Sequence, residues 1–71
     1  MDKLQTLADI EGFEDGMAMA EELHTESVIP GICMNEGCEY STGVEPDCAK
    51  GWCEECNTGS VKSFLMLMGI I

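Results

Sequence analysis

Positive charge is what this chain has least of. Lys3, Lys50 and Lys62 stand against 14 acidic residues; there is no arginine and one histidine, and the net charge is −11. A field of that sign repels nucleic-acid phosphates and anionic lipid. Three scattered lysines make no basic stripe, so neither nucleic acid nor a membrane surface is expected as a partner. Long apolar runs are also missing. The longest, Phe64 to Ile71, has eight residues including Gly69, whereas a membrane-spanning helix needs about twenty. The N-terminus offers no basic segment followed by an apolar run, because Met1-Asp2-Lys3 leads into a mixed polar stretch. That is not the pattern of a secretory leader, and a cytoplasmic location is the expectation. Length is short as well. A chain of 71 residues reads as one domain, and a domain this small buries only roughly 60% of its unfolded surface. Apolar burial and chain entropy then nearly cancel, so a staple is expected, either disulfides or a metal.

Residues 1–29 carry a helical pattern. Asp2 is placed to cap a first helix, with Leu4, Leu7 and Ala8 on one stripe and Gly12 as its stop. Glu14 or Asp15 can start a second helix, acidic groups being favoured at a helix N-terminus. Phe13, Met17, Ala20 and Leu23 or His24 then recur at spacings of three and four. Such a hairpin is not stable alone, and its apolar stripe needs a partner surface. His24 reads as an exposed helix-end histidine, where a cation suits the C-terminus, rather than as a ligand. Residues 30–60 change character. Residues 31–60 hold five of the eight glycines, all five cysteines and Pro46, which is turn chemistry. Short strands are expected at Gly31–Cys33, Glu39–Val44 and Gly51–Cys53. Residues 61–71 are apolar again, with Val61, Leu65 and Met68 on a helical stripe too short to distinguish from a strand.

The cysteines carry the chemistry. Five is an odd number for a disulfide framework, and a reducing compartment keeps thiols free for metal or redox use. Cys33 and Cys38 are separated by four residues and Cys53 and Cys56 by two, with residues 39–52 between the pairs. Structural zinc takes four tetrahedral ligands, commonly as two close pairs on tight turns. Gly37 can supply an unusual dihedral in the first turn, and Asn57, just after the second, is among the few side chains that tolerate a left-handed backbone. Cys33, Cys38, Cys53 and Cys56 are therefore the candidate ligands of one zinc. Cys48 is left over as a free thiol near the site, with a redox thiol or substitute ligand as its other reading. Tyr40 and Trp52, each close in sequence to a cysteine, are expected to shield the site and fill a small core. The methionines at 17, 19, 66 and 68 read equally as core filler or as an adaptable contact surface.

The segments Pro30-Gly31-Ile32-Cys33, Gly37-Cys38-Glu39-Tyr40, Gly51-Trp52-Cys53-Glu54-Glu55-Cys56 and Gly69-Ile70-Ile71 resemble those of small, acidic, bacterial and phage-type zinc-ribbon proteins of unassigned function. The resemblance spans about residues 30–71. It implies a short antiparallel sheet bearing two metal knuckles, and it implies no activity. The four-residue spacing of the first pair departs from the commoner two. Trp52-Cys53-Glu54-Glu55-Cys56 also resembles the Trp-Cys-x-x-Cys of thioredoxin-like oxidoreductases. Two intervening glutamates would raise the thiol pKa where a redox nucleophile needs it lowered, and too little chain follows to build that fold. Iron held as in rubredoxin-like proteins uses the same four thiolates.

The expectation is thus a small α+β metal-stapled domain, a helical hairpin packed on a zinc ribbon with short antiparallel strands. Its function reads as a non-enzymatic zinc-binding module that contacts a protein partner or a second copy through the apolar C-terminal segment. A small redox or electron-transfer protein is the alternative.

Overall fold

The computed structural model describes residues 2–69. Two helices come first. Helix α1 spans Lys3–Glu11, and the Asp2 carboxylate accepts hydrogen bonds from the Leu4 and Gln5 amides at 3.0 and 3.3 Å. Gly12 ends it with φ 86°, its N–H returning to the Ala8 and Asp9 carbonyls, a turn that side chains resist. Helix α2 spans Gly16–Leu23, capped by Asp15, whose carboxylate accepts from the Ala18 amide at 2.9 Å.

The core-facing phase of α2 differs from the expected one. Met17 is 63% exposed, while Gly16 and Met19 are buried and Ala20 and Leu23 pack against the core. The reason lies at Gly16. A Cβ there would come within 2.7 Å of Leu4 Cδ2. The two helices therefore meet at this glycine, and the buried stripe runs 16, 19, 20, 23 from that contact.

Four strands follow: β1 Ile29–Cys33, β2 Ser41–Val44, β3 Gly51–Cys53 and β4 Thr58–Ser63. They form one antiparallel sheet in the order β2-β1-β4-β3. Ile29 faces Val44 across β1 and β2, Cys33 faces Val61 across β1 and β4, and Cys53 faces Thr58 across β3 and β4. The expected first three strands are present, with β1 starting earlier and β2 later than anticipated. The first half of β4 carries no strand signal, because Thr58-Gly59-Ser60 has turn composition. The strand's pairing on both edges, with β1 and with β3, overrides that local preference.

Ser63 divides the apolar C-terminal segment. It ends β4 and caps helix α3, Phe64–Met68, accepting from the Met66 amide at 3.2 Å and donating to the Pro46 carbonyl at 2.6 Å. Strand and helix thus both occupy the segment whose pattern did not separate them. Phe64 and Leu65 are buried with Leu7, Ala8, Met19, Ile29 and Ile32 in one cluster. Helix α3 touches α1, α2, β1 and β4, so it lies between the helical pair and the sheet. Leu67 and Met68 pack at the edge of this core; the expectation for Ile70 and Ile71 lies outside the described residues. A second, smaller cluster holds Cys33, Cys53 and Val61, flanked by Cys38, Tyr40, Val44 and Cys56. No helix among the described residues is long and apolar enough to cross a membrane.

Candidate metal centre

Strands β1 and β3 flank β4 on opposite sides and both run antiparallel to it. Their last residues, Cys33 and Cys53, therefore arrive at the same end of the sheet, both fully buried. A turn leaves each strand at that end and delivers the second cysteine of its pair. In the first turn the Cys38 amide donates to the Asn35 carbonyl at 3.1 Å, and Gly37 takes φ 84°. In the second, the Asn57 amide donates to the Cys53 carbonyl at 2.8 Å and Asn57 takes φ 56°, the one non-glycine residue with positive φ among those described.

The result is a cluster in which the sulfurs of Cys33, Cys38, Cys53 and Cys56 all lie within 4.8 Å of one another. The Cys33–Cys56 and Cys38–Cys53 sulfur separations are 3.9 and 3.7 Å. A disulfide needs about 2.05 Å, and all five cysteines are free thiols. A tetrahedron of sulfurs at about 2.3 Å from a central zinc has edges of about 3.8 Å. The four sulfurs are thus positioned to hold a metal ion.

Donors converge on them. The Cys56 amide points at Cys53 Sγ at 3.3 Å, and the Glu55 amide also reaches that sulfur. The Asn35 amide serves Cys33 Sγ and the Tyr40 amide serves Cys38 Sγ. Ser60 Oγ lies 3.1 Å from Cys33 Sγ. Such bonds favour thiolates. Four thiols this close cannot all ionise without a cation among them, and their acidities spread apart. Burial alone would raise Cys33, but the Ser60 and Asn35 hydrogen bonds and its cysteine neighbours bring its pKa down to about 6. The Tyr40 amide favours the Cys38 thiolate, yet burial and the three neighbouring cysteines together push Cys38 up to about 12. Cys53 is raised as well, by burial first. A divalent ion removes this conflict, because a coordinated thiol is deprotonated outright.

All four predicted ligands are brought together. Cys48 stays apart from them, half-buried with its sulfur 3.8 Å from the Val61 carbonyl. Its turn is held by the Ser63 amide on the Cys48 carbonyl at 2.9 Å. His24 is exposed at the end of α2, its Nδ1 2.8 Å from the Ala20 carbonyl. Tyr40 packs beside the cluster and bonds Glu54 through its hydroxyl at 3.2 Å; burial, with the Glu54 charge second, raises its pKa. Trp52 does not shield the site and is 58% exposed. Side chains alternate along a strand, so with Cys53 facing inward its neighbour faces out. Ser60 and Lys3, which also reach the cluster or its turns, carried no sequence signal. Neither sits at a recognisable spacing from a cysteine.

No family model matches the chain, and neither a curated protein nor a solved structure matches it.

Proposed function

We propose that this chain is a small zinc-ribbon module in which one zinc, held by Cys33, Cys38, Cys53 and Cys56, has a structural role. The observation that carries this reading is the mutual approach of four free sulfurs within 4.8 Å of one another, with the Cys33–Cys56 and Cys38–Cys53 separations at the edge length of a ZnS4 tetrahedron. Four protein sulfurs fill the coordination of a tetrahedral zinc, which is the pattern of structural rather than catalytic zinc. A non-enzymatic role follows. Iron fits the same tetrathiolate geometry, so metal identity is part of the test.

The biological task of such a module is contact. Four thiolates and one divalent ion add two negative charges to the formal −11, so a nucleic-acid partner is disfavoured and a protein partner favoured. With Phe64 and Leu65 in the chain's own core, the apolar contact surface for a partner or a second copy narrows, among the described residues of the C-terminal segment, to the half-buried Met66, Leu67 and Met68.

Elemental analysis with native mass spectrometry tests both points. The expected result is a colourless protein with one zinc per chain. A folded, metal-free protein, or one coloured by iron–thiolate absorption, would overturn the zinc assignment. A strict monomer at high micromolar concentration would overturn self-association while leaving the zinc site intact.

A further inference from the structure

The first knuckle is the longer of the two, and its residues 34–37 are exposed and belong to no strand. From the sheet side it is held by the Met34 amide on the Ser60 carbonyl at 2.8 Å and by the Asn35 side chain on Thr58 Oγ1 at 3.2 Å. From the other side it is held by a residue 35 positions away from its second cysteine. Lys3, the first residue of α1, donates through its ammonium to the Asn35 carbonyl at 2.7 Å and to the Cys38 carbonyl. These are the two ends of the turn that the Cys38 amide closes onto Asn35. One cation therefore clasps both ends of the loop that carries Cys33 and Cys38. Neither Lys50 nor Lys62 makes a comparable contact among the described residues.

We infer that Lys3 is a positioning residue of the metal centre, holding the first knuckle in its ligating shape by bonding the carbonyls of Asn35 and Cys38. This rests on the metal-binding reading above. Two effects act together. The ammonium fixes the spread of an exposed turn, so less chain entropy is lost when Cys38 takes up the metal. It also places a positive charge beside a tetrathiolate centre that is net anionic when loaded. Groups that orient ligands from outside the coordination sphere typically change metal affinity about 10–100-fold when removed. The contact also ties the helical half to the metal half, so metal binding and the seating of α1 favour each other.

The test is zinc affinity measured by competition with a chromophoric chelator. Lys3→Met keeps the apolar stem and removes the donors and charge; Lys50→Met removes the same charge elsewhere. The expected result is a loss of about tenfold or more for Lys3→Met and less than twofold for Lys50→Met. Lys3→Arg, which keeps the charge and can reach two carbonyls, is expected to retain affinity within about threefold. Equal losses for Lys3→Met and Lys50→Met would mean that only net charge matters and would overturn the inference, as would unchanged affinity in Lys3→Met. If Lys3→Met fails to fold, amine acetylation of the wild-type zinc-loaded protein decides: Lys3 reacts more slowly than Lys50, and equal rates overturn the assignment. Failure of the wild-type protein to take up metal would instead sink the metal reading itself.

Discussion

The two buried clusters of this chain are built from different materials. The cluster between the helices and the sheet contains Leu7, Ala8, Met19, Ile29, Ile32, Phe64 and Leu65, an ordinary apolar core. The cluster at the far end of the sheet has only Cys33, Cys53 and Val61 fully buried, with Cys38, Tyr40, Val44 and Cys56 around them. Burying a large apolar side chain contributes roughly 1.5–3 kcal/mol, so the first cluster has several such contributions and the second essentially one, from Val61. The second is also where the two knuckle turns, the one non-glycine positive φ among the described residues, at Asn57, and the mutually conflicting thiols are found. Apolar burial organises one half; the other half brings together four sulfurs positioned to hold a metal ion. Strand β1 contributes to both, through Ile29 and Ile32 in one and Cys33 in the other, so neither half is independent.

Breaking each half separately should expose the difference. The largest effect is expected from Cys53→Ser, which removes a fully buried candidate ligand. Structural zinc in small peptides is worth roughly 10–16 kcal/mol, at or above the whole stability of a typical domain, about 5–15 kcal/mol. The variant should lose its metal and the ordered sheet end, read by metal content and circular dichroism; a loaded, native-like Cys53→Ser protein would refute the ligand assignment. Next comes Phe64→Ala in the apolar core, with an expected cost of about 3–5 kcal/mol. Its signature should be the opposite one, a lower unfolding midpoint with the metal still bound. Gly31→Ala strikes the shared strand. An added Cβ would lie 2.8 Å from Val44 Cγ2 and 2.9 Å from the Lys62 carbonyl, and backbone yields little, so a loss of about 1–3 kcal/mol is expected in thermal melts. Asn57→Ala forces a side chain with no local hydrogen bond into φ 56° and should cost about 1–2 kcal/mol, with Asn57→Gly near neutral. Smallest of all, Cys48→Ser should leave metal content unchanged, since that sulfur lies outside the cluster.

The same comparison explains what was legible in the sequence. The cysteine half announced itself through residue identity. Cys33, Cys38, Cys53 and Cys56 could be paired by spacing, and Asn57 could be assigned its left-handed turn, because few residue types perform these tasks. The N-terminal caps were equally readable, since Asp2, Gly12 and Asp15 act through their own backbone neighbours. What depended on long-range partners was not. Strand β4 exists because β1 and β3 hold it on both edges, the phase of α2 is decided by Gly16 meeting Leu4, and the outward turn of Trp52 follows from which neighbour faces the cluster. Lys3 lies furthest from any sequence signal, because its partners are main-chain carbonyls, which every residue possesses.

The central claim, that metal rather than apolar burial organises the cysteine half, is tested most directly by hydrogen exchange on the wild-type protein with and without a strong chelator, in reductant throughout. The account predicts that chelation removes amide protection from β3, both knuckles and the Cys33 end of β1, and that added zinc restores it. A chelated, reduced protein that keeps the same protection at Cys38, Cys53 and Cys56 would contradict it.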